Sequence, residues 1–311
     1  MGIVALAGGT GAARFLRGLV RAMDPRDLVV VANTGDDIDL HGLRVSPDLD
    51  TICYTLGGGI NEAQGWGRTD ESFVVASELR ERYGQPDWFT LGDRDLATHL
   101  VRGKLLREGG TLSQATSLIA RAWELPFRLL PMTDDVVTTR IATTDGRDLH
   151  FQEWWVGERA VPDIERVRLD GSDRAQPAPG VLEAIGTADA VLLCPSNPVV
   201  SIGPVLELPG VRDAVAKRPV VGVSPIVGGA VVRGMADRLL PAVGADVSAS
   251  GVAGLFADLL DGWVIDEVDR SLADGLRGLG LRVAVTDTIM RDQAVTTALA
   301  RTALDLAADD R

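Results

Sequence analysis

Apolar positions open the chain in two different rhythms. "GIVALA" (2–7) is a short, almost unbroken apolar run, the mark of a strand buried on both faces, and "GGTG" (8–11) reads as a tight turn. "AARFLRGLVRAM" (12–23) then places Phe15, Leu16, Leu19, Val20 and Met23 at three- and four-residue spacing, which predicts a helix with one apolar face. "DLVVVAN" (27–33) returns to the strand pattern. Strand, short helix and strand within about thirty residues make a βαβ unit, which implies a parallel sheet covered on both sides.

The rhythm changes over residues 70 to 125. "DESFVVASELRERYG" and "RDLATHLVRGKLLREGGTLSQATSLIARAWEL" carry helical periodicity broken at glycines, with no strand pattern, and predict a helical insertion or cap. Strand signals resume at "DVVTTRIAT" (135–143) and "LHFQEWWV" (149–156), where Trp154 and Trp155 would take opposite faces and one would enter the core. "DRAQPAPG" (173–180) is a loop. "ADAVLLCP" (188–195), a helix near 210–217, "PVVGVSP" (219–225), "GWVID" (262–266) and "LRVAVTD" (281–287) continue an α/β alternation. There is no internal repeat and no low-complexity linker.

A length of 311 residues allows one large α/β unit or two smaller domains, and 46% hydrophobic with 24% charged residues suits a sizeable core. No apolar run approaches the roughly 20 residues of a membrane span. The N-terminus shows no secretory pattern, and Leu6 stands where myristoylation needs Ser or Thr. Cys53 and Cys194, both in apolar surroundings, argue against a structural disulfide and for a cytoplasmic home. The net charge of −13 argues against nucleic acid as the main partner. A nucleotide remains open to such a protein if a metal, backbone N–H groups and a few arginines neutralise it locally.

Three stretches carry candidate chemistry. "GGTGAAR" joins a strand to a helix, so its N–H groups and the helix N-terminus could cradle a phosphate; an ordinary tight turn is the alternative. It departs from the dinucleotide fingerprint, because Arg14 follows Gly9-x-Gly11 where Gly or Ala is wanted. The second strand also ends in Asn33 rather than an acid. NAD is therefore disfavoured. "VVVANTGDDIDLHGLRVSPDLDT" (29–51) places Asp36, Asp37, Asp39, Asp48 and Asp50 beyond a strand's carboxyl end, where open α/β sheets bind ligands. One or two of these carboxylates could hold magnesium, against the alternative of a solvated acidic loop. "LLCPSNPVVSIGP" and "VVGVSPIVGG" set Ser196, Asn197 and Ser224 at two further strand ends, as caps or as ligand contacts. In "DWFTLGDRDLATHLVR" (87–102), Asp93, Arg94 and Asp95 read equally as a helix cap or a binding element. His99 and His150 read as structural.

Taken in order, "AGGTGAARFLRGL", "NTGDD", "SPDLDT", "GWG", "LGDRDLATHLVR", "FQEWWV", "PSNPVVSIGP" and "SPIVGG" resemble the 2-phospho-L-lactate transferase family of coenzyme F420 biosynthesis, from residue 7 to about 240. The resemblance implies a Rossmann-like, three-layer, mostly parallel sheet in a single unit over 1–311. The core would occupy about 1–65 and 130–311, and the helical insertion about 66–129. It implies a homodimer, Mg2+ as cofactor, a guanylyl-activated three-carbon acid as donor and the deazaflavin Fo as acceptor. A ribityl hydroxyl of Fo would attack the donor's distal phosphate and expel GMP. Gly8, Gly9, Thr10, Gly11, Ser196, Asn197 and Ser224 would bind the donor. Asp36 and Asp48 would hold the metal, Asp50 and Arg94 would touch the acceptor, and Asp48 or Asp50 could take the hydroxyl proton. Actinobacterial members look like phosphoenolpyruvyl users, and the chain's use of Arg in place of Lys leans the same way. The competing classes are a sugar-nucleotide-binding regulatory protein of the same superfamily and, further off, an NAD-dependent dehydrogenase.

Overall fold

β1 (Ile3–Ala7) pairs in parallel with β2 (Leu28–Ala32), and α1 (Gly9–Ala22) connects them. This computed structural model describes residues 1–308. Alternate side chains of β1 enter different cores: Ile3, Ala5 and Ala7 one, Val4 and Leu6 the other. All five are buried, because helices cover both faces, which is why the strand reads as an apolar run and not as an alternation. α1 starts at Gly9, three residues before the expected start, since the turn closes within Gly8–Gly9.

Seven parallel strands form the central sheet. Their order is Arg282–Thr286, Gly262–Asp266, Val220–Val223, Ala190–Leu193, β1, β2 and Arg128–Pro131. This is the Rossmann-like, three-layer α/β fold that the motifs imply. The chain winds outward from β1 to one edge, then returns to the other side of β1 and winds to the opposite edge. The switch falls between β1 and Ala190–Leu193, and there the connections diverge and leave a crevice at the strands' carboxyl ends.

Several local expectations change. α2 (Pro47–Leu56) follows a hairpin of Ile38–Leu40 and Leu43–Val45, whose turn holds His41 and Gly42 at φ +52° and +75°. The acidic stretch is thus a turn, a hairpin and a helix, not one loop. α3 (Val74–Tyr83), α4 (Asp95–Arg107) and α5 (Leu112–Ala122) fill the stretch read as a helical insertion. Arg128–Pro131, overlooked in the sequence, then joins the sheet edge. A four-residue strand ending in proline gives little signal, and an edge tolerates proline.

The segment at 149–156 is a strand only over Asp148–His150. The His150 amide donates to Glu153 Oε2 at 2.9 Å and the Gln152 amide to His150 Nδ1 at 3.0 Å, turning the chain into a wide helical turn over Glu153–Gly157. Trp154 and Trp155 are therefore neighbours on a helical turn, not opposite faces of a strand. Trp154 is buried and donates Nε1–H to the Pro162 carbonyl at 2.9 Å. Asp148–His150 pairs with Thr138–Thr143, which pairs with Ile164–Asp170, in an antiparallel sheet separate from the central one. No helix among the described residues is long and apolar enough to cross a membrane.

Candidate active site

The loops leaving β1 and Ala190–Leu193 face each other across the switch-point crevice. Gly9 has φ +68°, a conformation that costs L-residues strain. Gly11 lies so close to Pro195 that a Cβ would come within 2.2 Å of the Pro195 carbonyl oxygen, so only glycine lets α1 pack against the second loop. The Gly8 amide donates to Ser196 Oγ at 3.3 Å and ties the two loops together. First-turn amides of α1 have no acceptor within the helix, and with the helix dipole they make this lip attractive to anions.

The facing carboxylates come from two elements. Asp36 sits in the turn after β2, and Asp48 in the first turn of α2. Gly9 N–H donates to Asp48 Oδ1 at 2.7 Å, and Asn33 Nδ2 to Asp48 Oδ2 at 2.9 Å. Both acids are buried, and Asp36 Oδ1 is buried without a hydrogen-bond partner. Burial, and then repulsion from Asp48, hold the Asp36 carboxyl well above the usual range. Burial raises Asp48 to about 6 against the opposing hydrogen bonds from Asn33 and Gly9. Two buried, mutually repelling carboxylates with one orphaned oxygen fit a divalent cation. Among the described residues no group of three or more His, Cys, Asp or Glu gathers into a metal cage. Magnesium suits such a pair, because it takes one or two carboxylates and fills its shell with water and phosphate oxygens.

Ser196, Asn197 and Ser224 reach the same crevice, and all carry local duties. Asn197 Oδ1 accepts from Val199 and Val200 amides at 3.0 and 3.3 Å, capping the helical turn Pro198–Ile202. Ser224 Oγ donates to the Ile226 carbonyl at 2.8 Å and accepts from the Ile226 amide at 3.2 Å. Thus Gly8, Gly9, Thr10, Gly11, Asp36, Asp48, Ser196, Asn197 and Ser224 line one crevice.

Asp50 and Arg94 are not among them. Two positions on a helix are about 200° apart around its axis, so with Asp48 turned to the crevice Asp50 points away. It is paired with both terminal nitrogens of the buried Arg102 of α4, one contact at 3.1 Å. His99 Nδ1 lies 3.2 Å from Arg102 Nη1 and its Nε2 3.2 Å from Asp95. Arg94 is exposed at the start of α4. His150 is structural: its Nε2 lies 3.1 Å from the Asp37 carbonyl, to which it donates in the tautomer whose Nδ1 accepts from Gln152. The sequence reading missed Arg14, Phe151, Trp155, Arg233 and Thr288 as crevice residues. Arg14 had shown itself as the break in the dinucleotide fingerprint. Phe151 and Trp155 stood in a conspicuous aromatic stretch read as a strand, and nothing local marked Arg233 or Thr288.

The sequence profile of the 2-phospho-L-lactate transferase CofD family matches residues 3–299. The chain belongs to this family. Proteins named phosphoenolpyruvate transferase are similar to it over nearly their whole length. That of Thermobifida fusca is 54% identical over 319 residues, covering 99% of this chain and 98% of that one. That of Kitasatospora aureofaciens is 52% identical over 314 residues, again covering 99% and 98%. That of Mycolicibacterium smegmatis is 44% identical over 328 residues, covering 99% of each. A crystal structure of a upf0052 family member from Bacillus halodurans superposes with a TM-score of 0.65 at 15% identity, covering 97% of this chain and 98% of that one. At that identity the likeness concerns the fold alone. In this CofD family member the glycine loop, the Asp36–Asp48 pair and the Ser196–Asn197 loop meet at the fold's switch point.

Proposed function

We propose that this chain is a magnesium-dependent transferase that moves a phosphoenolpyruvyl or phospholactyl group from a guanylyl-activated donor to the deazaflavin Fo, releasing GMP, in coenzyme F420 biosynthesis. The observation that carries this reading is the meeting of an anion-seeking glycine loop with two buried carboxylates across a single crevice. The names of the relatives favour the enolpyruvyl donor. Asp36 and Asp48 would hold Mg2+, which when bound offsets the negative charge of the donor phosphates. The first-turn amides of α1 would grip the diphosphate and keep the distal phosphorus in line with the incoming hydroxyl. The hydroxyl oxygen bonds to that phosphorus, the bridging P–O bond breaks, and GMP departs with the electron pair. The hydroxyl proton has carboxylates at hand in Asp36 and Asp48; Asp50 is turned away.

The test is to mix purified protein with Fo, Mg2+ and guanylyl donors carrying enolpyruvate or lactate. GMP release is expected, faster with enolpyruvate. No GMP from either donor would remove the reading, and tight nucleotide binding without turnover would favour a sensing protein. We also place the enzyme in the cytoplasm, in keeping with two buried free cysteines, and take it to be a homodimer, for which light scattering should give twice the chain mass.

A further inference from the structure

This chain has 44 acidic and 31 basic residues, and many of its arginines pair with a carboxylate. Near the crevice, Arg17 pairs with Glu62 and Arg291 with Asp287. Arg14 and Arg233 differ from these two neighbours. Both line the crevice, and among the described residues neither makes an ion pair. Arg14 makes no hydrogen bond either, and Arg233 donates only to the Gln64 carbonyl. That carbonyl is held by a tight turn in which Asn61 Oδ1 accepts from the Ala63 and Gln64 amides at 3.1 and 3.2 Å, and the Gly65 amide donates to the Asn61 carbonyl at 2.7 Å. Burial, and then repulsion from Arg14, lower the pKa of Arg233. Two cations are thus held within reach of each other's field, and the carboxylate that acts on Arg14, Glu62, is already paired with Arg17.

Arg14 also replaces the third glycine of the dinucleotide fingerprint, where a bare backbone serves close helix–strand packing. Here that position supplies a side chain to the crevice. We propose that Arg14 and Arg233 form a carboxylate clamp that holds the acid group of the donor's three-carbon unit. The proposal rests on the donor class inferred above. Such a donor carries two kinds of anion. Its diphosphate suits the helix terminus and the cation-seeking Asp36–Asp48 pair, which leaves the planar carboxylate. A guanidinium fork matches a carboxylate with two parallel hydrogen bonds, and two guanidiniums leave little tolerance for a donor lacking that group.

The test is calorimetric titration of wild type, Arg14→Gln and Arg233→Gln with GDP and with the enolpyruvyl-bearing guanylyl donor, in Mg2+. Thermal melts run alongside check that the variants are folded. Each variant should lose on the order of ten- to a hundredfold affinity for the acid-bearing donor. GDP, with the diphosphate and no carboxylate, should bind all three proteins within about twofold. Equal losses for both ligands would assign the guanidiniums to phosphate and overturn the clamp. Unchanged donor affinity in both variants would overturn it as well. A wild type that binds neither ligand would sink the donor reading and the clamp together, a pattern distinct from the other two.

Discussion

Five aspartates crowd residues 36 to 50, and the structure gives them different work. Asp36 and Asp48 face the crevice. Asp37 is buried beside Ser46, whose hydroxyl donates to it at 2.6 Å. Asp39 projects into solvent, 68% of its side chain exposed, with Arg44 as partner at 2.8 Å. Asp48→Asn keeps the size of the side chain but removes the charge that would balance a metal. It should lower turnover a few hundred-fold, about 3–4 kcal/mol of transition-state stabilisation, while guanine nucleotide binding survives in part. Asp39→Asn should cost under about 0.5 kcal/mol of stability and leave the rate near wild type, because an exposed ion pair contributes little. Turnover and magnesium dependence measured on both variants test the placement; an active Asp48→Asn enzyme or an inactive Asp39→Asn enzyme would refute it.

Among the elements, the α2–α4 contact decides what Asp50 does. Helix α2 must present Asp48 to the crevice at a fixed angle, and the buried Asp50–Arg102 pair pins its first turn to α4. Removing one partner strands a charge in the interior. Arg102→Met alone should therefore cost about 3–5 kcal/mol in denaturant unfolding. Asp50→Leu together with Arg102→Met removes both charges and should recover much of that loss. If Asp50 only positions α2, the folded double variant retains turnover. A stable, folded and inactive double variant would instead return Asp50 to the chemistry.

Across the whole molecule, the buried acids bind stability to pH. Burial holds Asp36, Asp37 and Asp48 above the ordinary carboxylate range, Asp37 at about 7 and Asp48 at about 6. The folded chain therefore binds their protons more tightly than the unfolded chain. Without a cation, the contribution of Asp37 and Asp48 to stability is complete below about pH 4 and is lost as pH rises through 6 to 7, and that of Asp36 has the same sign. Mg2+ with GDP should offset the part due to Asp36 and Asp48, so its stabilisation should grow from pH 5 to pH 8. Urea midpoints across that range, with and without Mg2+ and GDP, read both effects. A cation-free protein that gains stability steadily from pH 5 to pH 8 would contradict the assignment.

By itself the sequence determined six of the seven central strands, the glycine turn and the acidic stretch, and missed Arg128–Pro131. Each of these writes its cause locally: buried parallel strands are unbroken apolar runs, and a turn with positive φ asks for glycine. The ordered motifs carried the family as well. Only the tertiary structure decided which residues share the crevice. Asp48 and Asp50 look equivalent in "SPDLDT", and it took a helix to turn one inward and a distant Arg102 to hold the other away. Phe151 and Trp155 could not be placed while a strand was assumed, because the hydrogen bonds around His150 that turn the chain do not show in an apolar pattern. Arg233 lies more than two hundred residues from Arg14, and nothing in either neighbourhood names the other. Their juxtaposition follows from the path of the chain around the switch point, which brings remote loops to one end of the sheet.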